Sequence, residues 1–488
     1  MKARHFLWLA SQLCSPSALA QEAAPATESS PESFDLQAAL ISTDTRAFTS
    51  EEAGQRARAR SPQITSAQAA AESAHWDSEV QWSAFLPTVQ GQAGYIRYSQ
   101  VNTSFGSFDP NALAGLNPDQ QATALAIASA LFGSGGGGGT RFTQPPHNYQ
   151  FSATARYPVS DIFLRVWPQH SAAKNIAEAR EIEVETKRAT VDLTAREAFY
   201  AHARALATML VAEQALKQAE AQAQQAKLFV DAGTAAPVDL MTATARVESM
   251  RSALARGRGA VAISRNTLAT YSGVKTQEVV GIKEPVTELP EAPKEDVDTL
   301  LTRGLDHRPE LRALRKLAEA NGHQRIAERN GALPTVSVDG TVLYANPNPR
   351  YIPIVEEFKT TWQVGASLTW TPNQALVGYQ RNKKYEAETE KVLADVAALE
   401  DAVRIEVVQA FEDYKAADAA ARASESQRGA AEETYRVRLA TYRVGAGVQI
   451  DLLAADLALT QARLDFVNAA IDSRIALARL ARATGEPR

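Results

Sequence analysis

Residues 362–370 read Trp-Gln-Val-Gly-Ala-Ser-Leu-Thr-Trp, with apolar or small side chains at every second position and a tryptophan at each end. This period of two predicts a strand that has one apolar face and one polar face. Eight steps of roughly 3.3 Å separate the two tryptophans by about 26 Å. The apolar band of outer-membrane β-barrels has about this height and is bordered by aromatic girdles. The stretch therefore indicates a membrane-spanning strand, and the alternative is an edge strand of a soluble β-sandwich.

The same pattern occurs earlier in the chain, over residues 149–157, which begin and end with a tyrosine. We therefore predict that the aromatic residues at the ends of the two segments form the membrane girdle. These residues are Tyr149, Tyr157, Trp362 and Trp370. A weaker alternating segment precedes each of the two. The strands are therefore predicted at about 86–98, 148–158, 333–344 and 362–371.

The chain contains two internal repeats. Leu86-Pro87-Thr88-Val89 returns as Leu333-Pro334-Thr335-Val336, and Gly233 and Gly445 hold matching positions in the two halves. Matching segments in the same order indicate two copies of one supersecondary unit. Repeat 1 is assigned to residues 34–280 and repeat 2 to residues 299–488.

The repeats are joined by a distinct segment and differ in one loop. Residues 281–298 contain Pro285, Pro290, Pro293 and several acidic side chains, which is typical of an exposed linker. Repeat 1 also carries an additional segment within the polar loop over residues 99–147, where a short helix is predicted. The sequence assigns no role to this loop.

Each repeat ends in a long helix followed by a shorter return helix. Residues 169–232 contain neither glycine nor proline, and a continuous helix over them would extend about 96 Å at 1.5 Å per residue. Alanine-rich helices of this length indicate side-by-side packing as in coiled coils, although strict leucine heptads are absent. Glycine-containing reversals separate the long helices from the return helices. The long and return helices are predicted at about 165–232, 237–272, 379–444 and 449–484.

Four membrane strands are too few to close a barrel, because the smallest outer-membrane barrels have about eight. An unpaired strand edge in lipid is very costly. Several chains must therefore contribute strands to one barrel, and the long helices would continue that barrel as a tube outside the membrane.

The N-terminus predicts export. Basic residues precede an apolar stretch, and Ala18-Leu19-Ala20 offers a small-residue cleavage site, so residues 1–20 are predicted to be a signal peptide. Residues 21–33 are predicted to be a flexible leader. The only cysteine, Cys14, would be lost with the signal peptide, and acylation of Cys14 is the alternative. A net charge of −5 gives no basic face for nucleic acid, so no such partner is expected.

In the order of these elements, in the twofold repeat, in the Leu-Pro-Thr-Val segments and in the Gly-x5-Asp-Leu turns, the chain resembles the outer membrane efflux protein family typified by TolC. The resemblance implies an α+β membrane protein that forms a homotrimer. Each chain would give four strands to a 12-stranded outer-membrane β-barrel, surrounded by lipid and continued by a long periplasmic α-helical barrel.

The resemblance also implies a function, namely the passive exit duct of a tripartite efflux system. The implied partners are a periplasmic adaptor protein and an inner-membrane pump. The outer-membrane component of type I protein secretion is an alternative with the same architecture. A soluble periplasmic coiled-coil scaffold is an alternative of another class.

The two helix reversals are implied to form the periplasmic tip, where the channel narrows and the adaptor docks. Asp451 is implied to line the constriction, where an acidic ring attracts cations. Ala454 occupies the position of the family's second acid, so the next acid, Asp456, is the second candidate. Helix-start chemistry is the alternative for Asp239 and Asp451, since an aspartate in a first turn accepts backbone hydrogen bonds. The residues expected to contact the adaptor are Gly233, Thr234, Asp239, Leu240, Gly445, Gly447 and Leu452.

Catalysis has little support in the sequence. The seven histidines are scattered, and neither a nucleophile elbow nor a nucleotide-binding loop is present. No catalytic residue, metal site or cofactor is therefore predicted, and the energy for transport is expected to come from a partner.

Overall fold

The computed structural model describes residues 36–41, 47–99, 102–104, 113–132, 141–143, 145–275, 281–352 and 354–486. The predicted signal peptide over 1–20, the predicted leader over 21–33 and Cys14 lie outside the described residues.

The described strands form one long sheet and one short ribbon. They are β1 (Thr88–Arg97), β2 (Asn102–Ser104), β3 (Arg141–Thr143), β4 (His147–Tyr157), β5 (Thr335–Asn346) and β6 (Lys359–Thr369). The four long strands lie within a few residues of the predicted ranges and form an antiparallel sheet in the order β1-β4-β5-β6, while β2 pairs with β3. The two repeats therefore meet at the pairing of β4 with β5.

The strand register puts the apolar positions of all four long strands on one face. Ala153 is paired with Gly91 on one side and with Val342 on the other, and Val342 is paired with Trp362. Directly paired residues of an antiparallel sheet share a face, so the four alternating patterns add to one apolar surface. In the single chain this surface is open, and Trp362 is 72 % exposed.

The opposite face of the sheet is polar. Thr154 and Thr341 approach through their hydroxyl oxygens at 3.1 Å, and Ser337 and Ser367 do the same at 2.9 Å. Hydroxyl pairs of this kind stabilise adjacent strands on a hydrated face. The sheet therefore has one face suited to an apolar phase and one face suited to water.

Eleven helices are found among the described residues. They are α1 (Leu36–Leu40), α2 (Ser50–Arg60), α3 (Pro62–Ser83), α4 (Pro118–Phe132), α5 (Val159–Asp161), α6 (Trp167–Asp231), α7 (Pro237–Ser272), α8 (Val297–His307), α9 (Pro309–Asn330), α10 (Pro372–Arg443) and α11 (Gln449–Ala483). A single π-helical turn, Ile162–Val166, joins α5 to α6. Within the described ranges, no helix has both the length and the apolar character needed to cross a bilayer.

One helix begins earlier than the sequence predicted. α10 begins at Pro372 and not near residue 379, and it runs through Gly378. A Cβ atom at Gly378 would lie 3.0 Å from the Glu328 carbonyl oxygen. The glycine therefore serves the close approach of α9 to α10 and does not break the helix.

The helices continue the order of the strands. Next to the sheet, α3 packs on α6, α6 on α9 and α9 on α10, which matches β1-β4-β5-β6. At the far end the return helices take over, so that α7 packs on α6, α6 on α11 and α11 on α10. Each strand is thus in line with one long helical column.

The predicted exposed linker is partly buried, which corrects the sequence prediction. Ile282 and Val286 are almost fully covered in a hydrophobic cluster with Phe199 and Ile471. Glu284, between them, accepts hydrogen bonds from the Tyr200 hydroxyl at 3.0 Å and from Arg474 at 2.6 Å. The apolar side chains at 282 and 286 bind this segment to the middle of the helical body, where it ties α6 to α11.

Candidate functional site at the helix reversals

The first reversal is a glycine-terminated helix end. Gly233 has φ +72°, a left-handed conformation that favours glycine. The Thr234 N–H and hydroxyl both donate to the Phe229 carbonyl oxygen, at 2.9 Å and 3.0 Å. Pro237 then begins α7, since its missing N–H needs no partner at the first helical position.

The second reversal repeats this geometry more tightly. Gly445 has φ +75°, and Ala446 N–H donates to the Thr441 carbonyl oxygen at 3.1 Å. A Cβ atom at Gly447 would lie 2.9 Å from the backbone nitrogen of Tyr442, so only glycine fits there without a shift of the chain. The two reversals lie at one end of the helical body, opposite the sheet.

Asp451 lies in the first turn of α11 and is about half exposed. Its carboxylate accepts a hydrogen bond from the Arg438 guanidinium of α10 at 3.1 Å. A cation therefore stands beside the acid that was predicted to line the constriction. The pair joins the two helices of one hairpin across the turn.

Asp456 has a different environment, and its predicted place in the constriction is wrong for this conformation. The residue has no exposed surface. Its Oδ2 accepts two hydrogen bonds from Arg246 of α7, at 3.0 Å and 3.3 Å. Burial raises the pKa of the Asp456 carboxyl, and Arg246 opposes that shift. Association with further chains could only add to this burial, so Asp456 ties α11 to α7 inside the protomer.

A second connection between the two hairpins lies closer to the tip. The Gln449 amide donates to the Asp239 carbonyl oxygen at 2.9 Å, and the Tyr442 hydroxyl lies 3.5 Å from Gln449 Oε1. Tyr442 also packs edge-on against Phe229, with ring centroids 5.6 Å apart. Burial raises the pKa of the Tyr442 hydroxyl, and the nearby negative charge of Asp239 raises it further. The polar and aromatic groups of this region thus connect both reversals.

The predicted adaptor-contact set is only partly at the surface. Gly233, Thr234 and Gly445 are exposed, whereas Leu240 is half-buried. Leu452 is 2 % exposed, and this corrects the prediction, because a buried side chain cannot touch another protein. It lies on the side of α11 that packs into the protomer.

Sequence reasoning missed an apolar surface around the reversals. Its members are exposed, large and apolar, and they occur on both hairpins: Leu228, Val238, Met241, Val444, Val448 and Ile450. The signal was available, since each lies within eight residues of Gly233 or Gly445, where a solvated helix reversal predicts polar side chains.

The four predicted girdle residues lie on the apolar face of the sheet or in line with it. Tyr149 is paired with Asn346, whereas Trp362 is paired with Val342. The tryptophan is thus displaced toward the helical end of the sheet relative to the tyrosine. Strands of a membrane barrel are tilted by roughly 35–45°, so a displacement of this kind is expected between strands that are not adjacent.

Three solved structures with a similar fold illustrate the architecture. The outer-membrane channel OprN is 18% identical, with 93% of this chain and 96% of that chain covered and a TM-score of 0.69. A membrane protein from Pseudomonas aeruginosa is 17% identical, with 96% and 99% covered and a TM-score of 0.70. The CmeC outer membrane channel of Campylobacter jejuni is 14% identical, with 92% and 91% covered and a TM-score of 0.68. None of the curated proteins matches the sequence.

The model of the outer membrane efflux protein family matches residues 53–274 and 300–486, so it covers both repeats. This match confirms the resemblance predicted from the sequence, and with it the α+β fold, the function as an efflux channel and the outer-membrane location with a large periplasmic helical portion. The soluble scaffold is thereby set aside. The chain belongs to the outer membrane efflux protein family.

Proposed function

We propose that three copies of this chain form one exit duct, in which the sheets close a single barrel and the helices extend it through the periplasm. Three sheets of four strands supply the 12 strands expected from the sequence. The duct conducts passively, and a periplasmic adaptor connects it to an inner-membrane pump.

The observation that carries this proposal is a sheet with one apolar face and, within the described residues, two unpaired edges. β1 and β6 are the edge strands, and each has ten or more residues. Unpaired backbone groups are costly in lipid because no water is present to bind them. Pairing of β6 with β1 of the next copy removes both edges, and closure then places the apolar face on lipid and the polar face on the lumen.

The apolar surface at the reversals supports docking of an adaptor. Val444 is 78 % exposed and Ile450 is 71 % exposed, at the end of the helices farthest from the sheet. Exposed apolar patches mark interaction sites, and a helical partner can lay an apolar face into such a surface. The adaptor is therefore expected to contact these side chains together with the glycine turns.

We further propose that the tip opens by movement of the α10–α11 hairpin relative to the α6–α7 hairpin. The Arg246–Asp456 ion pair and the Gln449–Asp239 hydrogen bond connect the hairpins. Opening must break or rearrange these connections. Asp451 and its partner Arg438 would then set the charge at the narrowest point.

The experiment that tests the duct combines fractionation with a measurement of mass. The tagged protein is expected in the outer-membrane fraction, and native mass spectrometry in detergent is expected to give the mass of three chains. Reconstitution in planar bilayers should give discrete conductance steps. Recovery solely in the soluble periplasmic fraction, or a monomer without conductance, would contradict the proposal.

A further inference from the structure

The additional segment of repeat 1 carries a helix whose apolar surface is open. α4 has one charged residue, Asp119, among its 15 residues. Leu125 is 51 % exposed and Ile127 is 55 % exposed. Two positions correspond to about 200° around a helix, so the exposed apolar side chains lie on nearly opposite sides. A patch of exposed apolar side chains often marks a contact with another chain.

The described residues of the chain leave Leu125 and Ile127 of this helix exposed. Within the described ranges, the hydrogen bonds of α4 side chains stay inside its own segment. Gln121 donates to the Leu113 carbonyl oxygen at 2.8 Å, and Thr123 donates to the Asp119 carbonyl oxygen at 2.9 Å. The described part of the protomer thus leaves Leu125 and Ile127 available to a neighbouring chain.

The sheet order determines what stands beside α4 in a closed barrel. The β1–β4 and β5–β6 connections leave the same end of the sheet, opposite the end where the long helices attach. Since β6 of one protomer would pair with β1 of the next, the β5–β6 connection of one protomer stands next to the β1–β4 connection of its neighbour. The β5–β6 connection of the neighbouring protomer is thus the surface closest to α4 across the seam, that is, across the interface between protomers.

The β5–β6 connection presents a complementary apolar surface. Ile352 is 88 % exposed and Ile354 is 47 % exposed. Asn348, which is buried, fixes the turn that carries them, because its amide donates to the Lys359 carbonyl oxygen at 3.0 Å and to the Thr361 hydroxyl at 3.1 Å. Ile352 therefore closely follows a turn that these two hydrogen bonds join to β6.

We infer that α4 of one protomer packs against the β5–β6 connection of the neighbouring protomer, that is, against a second copy of this chain. The inference rests on the proposed trimer and adds to it a contact on the outer side of the membrane. Burial of apolar side chains on both partners stabilises the seam between protomers beyond the strand pairing. The additional segment of repeat 1 thereby acquires a role as an inter-protomer clasp.

Disulfide trapping between differently tagged protomers tests this contact. Cys14 is the only native cysteine and is replaced by serine in all variants. One protomer carries Leu125→Cys or Ile127→Cys, and the other carries Ile352→Cys. After mild oxidation, we expect a reducible species that contains both tags, with at least one of the two α4 positions. The matched control pairs Ile352→Cys with Ser426→Cys, an exposed position on α10, and is expected to give none.

The outcomes separate this inference from the proposed function. A trimer that forms normally but gives no mixed-tag species with either α4 position overturns the clasp and leaves the duct intact. If both cysteines are instead placed in one chain, a disulfide that forms only within that same chain also overturns the clasp. A protein that does not form trimers overturns the duct proposal, and the clasp with it.

A second measurement does not depend on cysteine geometry. Ile127→Asp and Ile352→Asp should each lower the temperature at which the trimer dissociates in detergent, and the double variant should be no worse than the more severe single variant. Residues that share one contact show such non-additive effects. Fully additive effects would contradict the contact.

Discussion

Asp451 and Asp456 are five positions apart on α11, and their surroundings give the two carboxylates different tasks. Asp451 and Arg438 are each about half exposed, so their ion pair contributes little to stability, roughly 0–1 kcal/mol. We propose that its value to the channel is electrostatic, because the two groups hold opposite charges side by side near the reversal.

Removal of either charge should therefore change ion selectivity in opposite directions. Asp451→Asn is expected to lower cation selectivity, and Arg438→Gln is expected to raise it. Reversal potentials across planar bilayers under a salt gradient measure both effects. The shifts should be larger in 0.1 M than in 1 M salt, because the Debye length falls from about 10 Å to about 3 Å. Shifts of the same sign in both variants would indicate that Asp451 has a structural role and does not set the charge of the constriction.

His202 is a buried titratable group in the middle of α6. Its Nδ1 lies 3.0 Å from the Ser264 hydroxyl, which itself donates to the Val261 carbonyl oxygen, so the ring nitrogen must be the donor. Burial, assisted by the nearby positive charge of Arg265, lowers the pKa of His202 to about 4. The folded protein therefore keeps this ring neutral down to about pH 5.

This depressed pKa predicts acid sensitivity. Below the ordinary histidine pKa of about 6.5, His202 binds a proton in the unfolded chain, whereas it stays neutral in the folded chain. The free energy of unfolding is thus unaffected by His202 above about pH 6.5. It falls as the pH drops toward 4, by up to about 3 kcal/mol for each His202. Thermal unfolding of His202→Gln should depend less on pH between 7 and 4.5 than that of the parent protein. The exposed His75→Gln is the control, and an equal change in both variants would contradict the assignment.

At the scale of elements, the hairpins are held together by a buried ion pair. Arg246 retains only 10 % of its side-chain exposure, and Asp456 retains none. Removal of one partner of a buried pair leaves an uncompensated charge and typically costs about 3–5 kcal/mol. The ion pair is therefore expected to stabilise both the folded tip and its closed conformation.

Two single substitutions and one exchange test this coupling. Asp456→Asn and Arg246→Gln should each lower the unfolding temperature and raise single-channel conductance, because α11 is released from α7. The double exchange Arg246→Asp with Asp456→Arg should bring both the unfolding temperature and the conductance part of the way back to the parent values. Effects of Arg246 and Asp456 substitutions that simply add would show that the two residues act independently.

At the scale of the whole molecule, the two faces of the sheet meet different solvents. Val364 lies on the apolar face and is 70 % exposed in the single chain, whereas its neighbour Gln363 lies on the polar face beside Thr341. Closure of a trimer turns Val364 toward lipid and Gln363 toward water.

A pair of neighbouring substitutions distinguishes the faces. Val364→Lys should impair insertion, since a lysine on the lipid face costs free energy, up to about 2–4 kcal/mol at the bilayer midplane. Gln363→Lys should insert and form trimers like the parent protein. Heat-modified gel mobility after outer-membrane extraction measures both. Equal tolerance of the two lysines would contradict the assignment of the faces.

The sequence by itself determined the features that depend on residues close together in the chain. The period-two alternation of 362–370 gave a strand, the glycine- and proline-free stretch of 169–232 gave a long helix, and Gly233 and Gly445 gave the reversals. The order of the repeated segments then identified the family. These features follow from backbone geometry and local side-chain periodicity, which act over a few residues.

Only the tertiary structure decided which of the candidate side chains are covered. Asp456 and Leu452 were assigned to the tip from their place after a reversal, yet both are buried, and Asp456 finds its partner 210 positions earlier in the chain. Glu284 was read as part of an exposed linker and instead joins Tyr200 to Arg474. Burial depends on which distant helices pack together. The pattern of neighbouring residues in the sequence does not predict that packing. The sequence therefore determined the elements and their order, and the packing of the hairpins decided which acid faces solvent and which holds the protomer together.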